Sequence, residues 1–297
     1  MNMSKKHIFV VLVSAVLASL VVSCSSTRAI PEGEQLFTGL KKIEYTNFEE
    51  NEHAVKTQQE MEYALASAPN GALFGSSYYR TPFPIRLWIW NAFSQSTSGV
   101  GRWLTKAFGS KPKLMSQVNP ELRVSVAKSQ LKKYGYFYGD VSYKVITGRN
   151  PKTAKLAYTV NMGPLWRIDS IEYLRFPPVA DSLIRVHRSE AVIKNGDPFS
   201  VPALSNERMR LAKLFRNNGY YYYNESYASY LADTISVPRK VLLRFQMADS
   251  LEASVKKKWY IGKIDINLRR EFTDTLKDSI QRRSVIVHFN GRKTPVR

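Results

Sequence analysis

At 297 residues, with 44% hydrophobic side chains, the chain has material for two or three small domains and lies outside the disordered class. Its 44 Lys and Arg against 24 Asp and Glu leave a formal charge of +20, which favours anionic partners without choosing among nucleic acid, lipid headgroups and acidic proteins. One cysteine excludes a disulfide framework and a cysteine-built metal site.

The first element is an export signal. Lys5, Lys6 and His7 form a basic leader, residues 8–20 are uninterrupted apolar or small side chains, and Val21-Val22-Ser23-Cys24 closes the run as a lipobox. Residues 1–23 therefore read as a lipoprotein signal peptide, with an apolar run short for a membrane span. Cys24 is the lipidation site, its thiol taking a diacylglyceryl group. Each buried methylene then contributes about 0.8 kcal/mol, so several acyl chains hold durably. Residues 24–39, polar and carrying Pro31 and Gly33, are expected to be a tether.

Past residue 40 the dominant signal is an internal repeat. In one unit Asn119-Pro120-Glu121 opens a helix, with Asn as N-cap and Pro at the first helical position. Val124, Ala127, Leu131 and Tyr134 then share one face. In the other, Gly196-Asp197-Pro198-Phe199-Ser200 leads into a helix with Leu204, Leu211 and Phe215 on one face.

The two helices end alike, at Gly135-Tyr136-Phe137 and at Gly219-Tyr220-Tyr221. Glycine there can take the left-handed conformation that stops a helix. Strands are predicted over 138–146 and 154–161 in the first unit, and over 222–231 and 240–247 in the second. Leu156, Tyr158 and Val160 alternate, as do Val241, Leu243, Phe245 and Met247, so each strand buries one face. Trp166, Ile168 and Ile171 match Trp259, Ile261 and Ile264 in spacing and mark the start of a unit. The repeat order is strand, helix, helix, strand, strand.

Such units, with a Gly-Asp-Pro-Phe-Ser lead-in and a Gly-Tyr-aromatic turn, resemble the POTRA domains of the BamA/TamA family of outer-membrane assembly factors. A lipid-anchored chain of this kind is similar to the TamA-like variant of Bacteroidota. The resemblance implies an α+β fold of tandem POTRA domains. A first domain spans 40–165 with an insertion at 69–113, a second spans 166–258, and 259–297 begin a third that stops mid-domain at Arg297. The lipobox departs from most of the family, and no run of barrel strands follows residue 264.

The resemblance also implies the function, that of a periplasmic region binding unfolded outer-membrane protein clients and envelope assembly partners. Binding would occur by β-augmentation, in which an extended segment pairs with a free sheet edge. The expected edges are 138–145 and 222–230. No enzymatic activity, cofactor, metal or small-molecule substrate is expected, since the four histidines are isolated and no HExxH, GxSxG, GxGxxG or Walker-type loop occurs. Export argues against a nucleic-acid partner. A basic, membrane-anchored envelope protein binding anionic lipid or nucleic acid is the competing expectation. With no acidic run after Cys24, the expected location is the outer membrane, facing the periplasm.

Residues 63–120 hold ten aromatics, six Lys or Arg, and no Asp or Glu. Val100, Trp103, Leu104, Ala107 and Phe108 recur at helical spacing with Arg102 and Lys106 off that face. Trp88, Trp90, Trp103, Phe108, Arg102 and Lys106 are thus candidates for a membrane interface. Equally, these aromatics could cover the core of the first domain or dock on a barrel.

Overall fold

The computed structural model describes residues 26–262 and two further strands, 285–289 and 292–296. The expected signal peptide, Cys24 and most of the expected third unit lie outside the described residues. The described chain falls into two compact bodies. Of the described residues, one holds 26–171, 194–203 and 232–243; the other holds 172–193, 204–231 and those from 244 onward.

The first repeat opens with β1 (Leu36–Leu40) and β2 (Glu44–Thr46), followed by α1 (Glu52–Leu65). Asn51 caps α1, its side-chain oxygen accepting from the Ala54 amide at 2.9 Å. The insertion supplies α2 (Ile85–Phe93), α3 (Gly99–Phe108) and the single turn α4 (Met115–Val118). The repeat closes with α5 (Pro120–Lys133), β3 (Asp140–Thr147) and β4 (Thr153–Asn161). Asn119 and Pro120 start α5 as the sequence predicts, the Asn119 side chain accepting from the Leu122 amide.

β4 is the centre of this sheet. β3 runs antiparallel to it from Asp140↔Asn161 to Thr147↔Ala154. β1 and β2 both run parallel to it, at its two ends. A strand has two edges, so β1 and β2 are successive pieces of one outer strand; within β1 a bulge makes Phe37 to Leu40 span one residue more than Ala154 to Leu156. Gly39, at φ +116, sits in that bulge.

α1 and α5 pack together over this sheet. Met61, Leu65, Ala127 and Leu131 meet Phe37, Leu156, Tyr158 and Val160 in one buried cluster. Each fully buried Leu, Met or Phe contributes about 1.5–3 kcal/mol, so this cluster is what holds the repeat.

β1 begins inside the expected tether and is buried at all five positions. Phe37 faces the main cluster, while Leu36 joins Ile30 and Leu87 of α2 in a small second core. The insertion therefore covers the far side of β1, which turns a polar-looking approach into a strand buried on both faces.

The second repeat runs β5 (Arg167–Leu174), α6 (Pro178–Val186), α7 (Val201–Asn217), β6 (Ala228–Asp233) and β7 (Lys240–Met247). Its sheet has the order β5-β7-β6, so first, last and middle strands lie side by side as in the first repeat. The β-α-α-β-β order is thus present twice, and the fold is α+β. Along β7, Val241, Leu243, Phe245 and Met247 are the buried positions, as the alternation predicts.

β6 starts at Ala228, six residues later than expected. The Tyr223 amide donates to Tyr220 O at 3.0 Å and closes a turn. Asn224 then caps a 3₁₀ turn by accepting from the Ser226 amide at 2.8 Å, so the backbone of 222–227 is used locally. In the first repeat β3 likewise starts at Asp140, after a Gly139-to-Tyr136 turn. A single turn, α8 (Ala253–Lys256), precedes Trp259, and no strand is assigned over 259–262. β8 (Val285–Phe289) and β9 (Arg292–Val296) form an antiparallel pair.

Candidate strand-addition site

The two glycine turns are built alike. α5 ends with the Tyr136 amide donating to Leu131 O at 3.0 Å, and α7 with the Tyr220 amide donating to Phe215 O at 3.0 Å. Gly135 has φ +83 and Gly219 φ +96, as this helix stop requires. In each turn the glycine carbonyl accepts from a tryptophan amide, Trp166 to Gly135 at 2.9 Å and Trp259 to Gly219 at 2.7 Å. The next aromatics meet that tryptophan's ring: Phe137 lies edge-on to Trp166 at 5.2 Å, and Tyr222 edge-on to Trp259 at 5.1 Å.

Tyr136 and Tyr220 are buried. Tyr136 stacks on His53, whose Nε2 donates to Tyr134 O at 2.7 Å. That bond fixes the neutral tautomer. Burial lowers the His53 pKa from its usual 6.5, and the charges of Arg167 and Lys56 push the same way. Phe137 is half-buried between Trp166 and Phe199, whereas Tyr138, Tyr221 and Tyr222 are exposed. Each turn therefore places a tyrosine in the core and leaves the aromatic residues just after it at the surface or half-buried, and in the second repeat Tyr223 is buried again.

Among the described residues the next strands, β3 and β6, are edges, each bonded only to the central strand of its sheet. β3 exposes Val145 and Ile146, and β6 exposes Leu231. On an edge strand alternate residues turn both amide and carbonyl outward, which is the template an extended peptide needs. Two exposed contacts brace β3, the Lys128–Asp140 ion pair at 2.6 Å and a Tyr143 hydroxyl donating to Glu121. Tyr143 hydroxyl ionisation is pushed upward, first by that bond to Glu121.

The opposite edge of the first sheet is occupied. The Phe37 amide donates to Lys113 O at 2.9 Å, the Leu40 amide to Ser77 O at 2.8 Å, and Leu36 and Leu114 form an antiparallel bridge. Both ends of the insertion thus lie along β1, as a short strand added to its rim would. Their positions are set by Asn70, whose side chain donates to Lys111 O at 2.8 Å and to Ser110 Oγ at 3.0 Å and accepts from the Lys113 amide at 2.7 Å. Nothing in the local sequence signals this pairing, since its partners lie 37–78 positions apart.

In the insertion, α2 and α3 pack against each other. Arg102, Trp103, Lys106 and Phe108 are exposed on α3, with the Trp103 and Phe108 rings edge-on at 5.6 Å. Trp88 and Trp90 on α2 are half-buried. Trp88 Nε1 donates to Ser26 Oγ at 3.1 Å. Among the described residues no group of His, Cys, Asp and Glu could hold a metal, and no helix is long and apolar enough to cross a membrane.

No family model matches the sequence. No curated protein matches it either. Among solved structures the chain is similar to POTRA domains 3–5 of BamA from Haemophilus influenzae, with 11% identity and a TM-score of 0.35 over 74% of this chain and 69% of that one. It is similar to POTRA domains 1–2 of the periplasmic domain of Omp85 from Anabaena, with 10% identity and a TM-score of 0.32 over 73% of this chain and 98% of that one. It is also similar to BamA from Haemophilus ducreyi lacking POTRA domains 1–3, with 16% identity and a TM-score of 0.30 over 54% of this chain. The chain spans 26% of that last structure.

Proposed function

We propose that this chain is the POTRA region of an outer-membrane protein assembly or translocation factor of the BamA/TamA kind, in its lipid-anchored form. Cys24 carries the anchor, the module faces the periplasm from the outer membrane, and it is not catalytic. Unfolded outer-membrane clients or partner proteins add an extended segment to β3 or β6. The observation that carries this reading is the shared strand order, which leaves the middle strand of each repeat at a sheet edge while the insertion fills the opposite edge of the first sheet.

Main-chain pairing of this kind is sequence-tolerant, which suits clients that share little beyond an extended state. Net hydrogen bonds contribute roughly 1 kcal/mol each. Ordering each client residue costs about 1–2 kcal/mol, so pairing along the eight residues of β3 nets little and the complex is transient. Exposed Val145, Ile146 and Leu231 then set which segments stay longest.

The test is photo-cross-linking in cells, with a benzophenone side chain at Val145, at Leu231, or at Lys56 on α1 as control. The reading predicts adducts with newly exported outer-membrane proteins from the two edge positions only. Adducts from Lys56 equal to those from the edges would overturn it.

A further inference from the structure

We infer that the α2–α3 hairpin of the insertion lies on the surface of an anionic bilayer, the same membrane that holds the anchor; this rests on the lipid-anchor reading of Cys24. Three observations converge. The first is position. Ser26 accepts a hydrogen bond from Trp88 of α2, and Ile30 packs on Leu87 of the same helix. Cys24 is two residues before Ser26 in the sequence, and two extended residues span about 7 Å, which is the longest tether the anchor can have to this bond.

The second is exposure. Phe83, Ile85, Val100 and Trp103 are each at least 60% exposed. A packed core has no use for them there, while tryptophan and aliphatic side chains on an amphipathic helix suit the depth just beneath lipid headgroups. The third is charge. Between Glu62 and Glu121 there are six Lys or Arg and no acid, and Arg102 and Lys106 stand exposed on α3 beside Trp103. Anionic headgroups match that field. A tether this short also makes hairpin contact intramolecular, so a weak surface affinity suffices to keep it populated.

The test uses the full acylated chain in vesicles. Acylation blocks the Cys24 thiol, so a nitrobenzoxadiazole probe goes only to an introduced cysteine, from Ala107→Cys on α3 or Lys144→Cys on β3, both exposed sites. Vesicles of phosphatidylglycerol and phosphatidylcholine with brominated acyl chains should quench and blue-shift the probe at position 107 and leave that at 144 unchanged. Neutralising two charges by Arg102→Gln with Lys106→Gln should shift the hairpin about thirtyfold toward the unbound state, at about 1 kcal/mol per charge, and reduce the quenching. A chain shown by intact mass to be acylated, whose probe at 107 is no more quenched than that at 144, overturns the inference and leaves the anchor standing. A chain without the acyl mass overturns the anchor reading and this inference with it.

Discussion

Replacing Gly135 by alanine tests the turn geometry most sharply, because two other left-handed glycines serve as its controls. A Cβ at Gly135 would lie 2.8 Å from Phe199 O, 3.1 Å from Trp166 O and 3.2 Å from Phe199 Cβ. The Trp166 carbonyl cannot retreat easily: it accepts from the Phe199 amide, and the Trp166 amide donates back to Gly135 O. At Gly219 the nearest atom would be Trp259 O at 3.3 Å, and at Gly196, φ +90, nothing lies within 4 Å. All three variants carry the left-handed cost of roughly 1–2 kcal/mol. Each recovers about 0.4–1 kcal/mol from a less flexible unfolded chain. Overpacking adds about 1–3 kcal/mol at Gly135, less at Gly219, where the contact is longer, and nothing at Gly196. Urea unfolding followed by tryptophan fluorescence should therefore rank Gly135→Ala as the most destabilised, Gly219→Ala next and Gly196→Ala least, with a gap of about 1–3 kcal/mol between first and last. Equal midpoints for Gly135→Ala and Gly196→Ala would refute the claim that this turn is wedged against the Trp166–Phe199 backbone.

Glu207 is fully buried on α7, accepting from Tyr173 Oη at 2.7 Å, the Val192 amide at 2.9 Å and Arg210 through two bonds. Glu207→Gln leaves the Arg210 charge unpaired and should cost about 3 kcal/mol in unfolding free energy, whereas Glu190→Gln on the surface should cost about a tenth of that. Asn70→Ala removes three bonds at the base of the insertion, so limited proteolysis should cut within 69–113 faster, with the rest of the chain intact. His53 is held neutral because its folded pKa is depressed below 6.5. Its contribution is present above the unfolded pKa and lost as pH falls through the folded one, so stability should drop below about pH 6.5, and His53→Gln should flatten that drop in thermal melts.

What the sequence disclosed was what short-range physics decides. The Asn119-Pro120 helix start, the glycine stops at 135 and 219, and the alternation along β4 and β7 follow from capping chemistry, left-handed backbone and pleat, all readable within a few residues. What it hid depends on distant partners. β1 was mistaken for tether because its buried status comes from Leu87 and Leu114, contributed by an insertion 47–78 residues downstream. β6 starts late because Asn224 diverts the backbone into a capped turn, a competition that the run of aromatic residues masks. The edge status of β3 and β6 was expected from resemblance alone; strand order is a tertiary property. The Glu207 cluster was missed altogether, since a glutamate amid a polar helical stretch gives no local sign of being fully buried.

The central claim is that extended polypeptide adds to β3 and β6 rather than to any other surface. Amide deuterium exchange of the full chain, with and without a peptide from an outer-membrane protein strand, addresses it directly. Slowing of exchange at alternate amides within Asp140–Thr147 and Ala228–Asp233, with Phe37 and Leu40 unchanged because their amides are already bonded to the insertion, is the predicted pattern. Protection confined to α1, α5 or the insertion, with both edge strands exchanging as before, would contradict it.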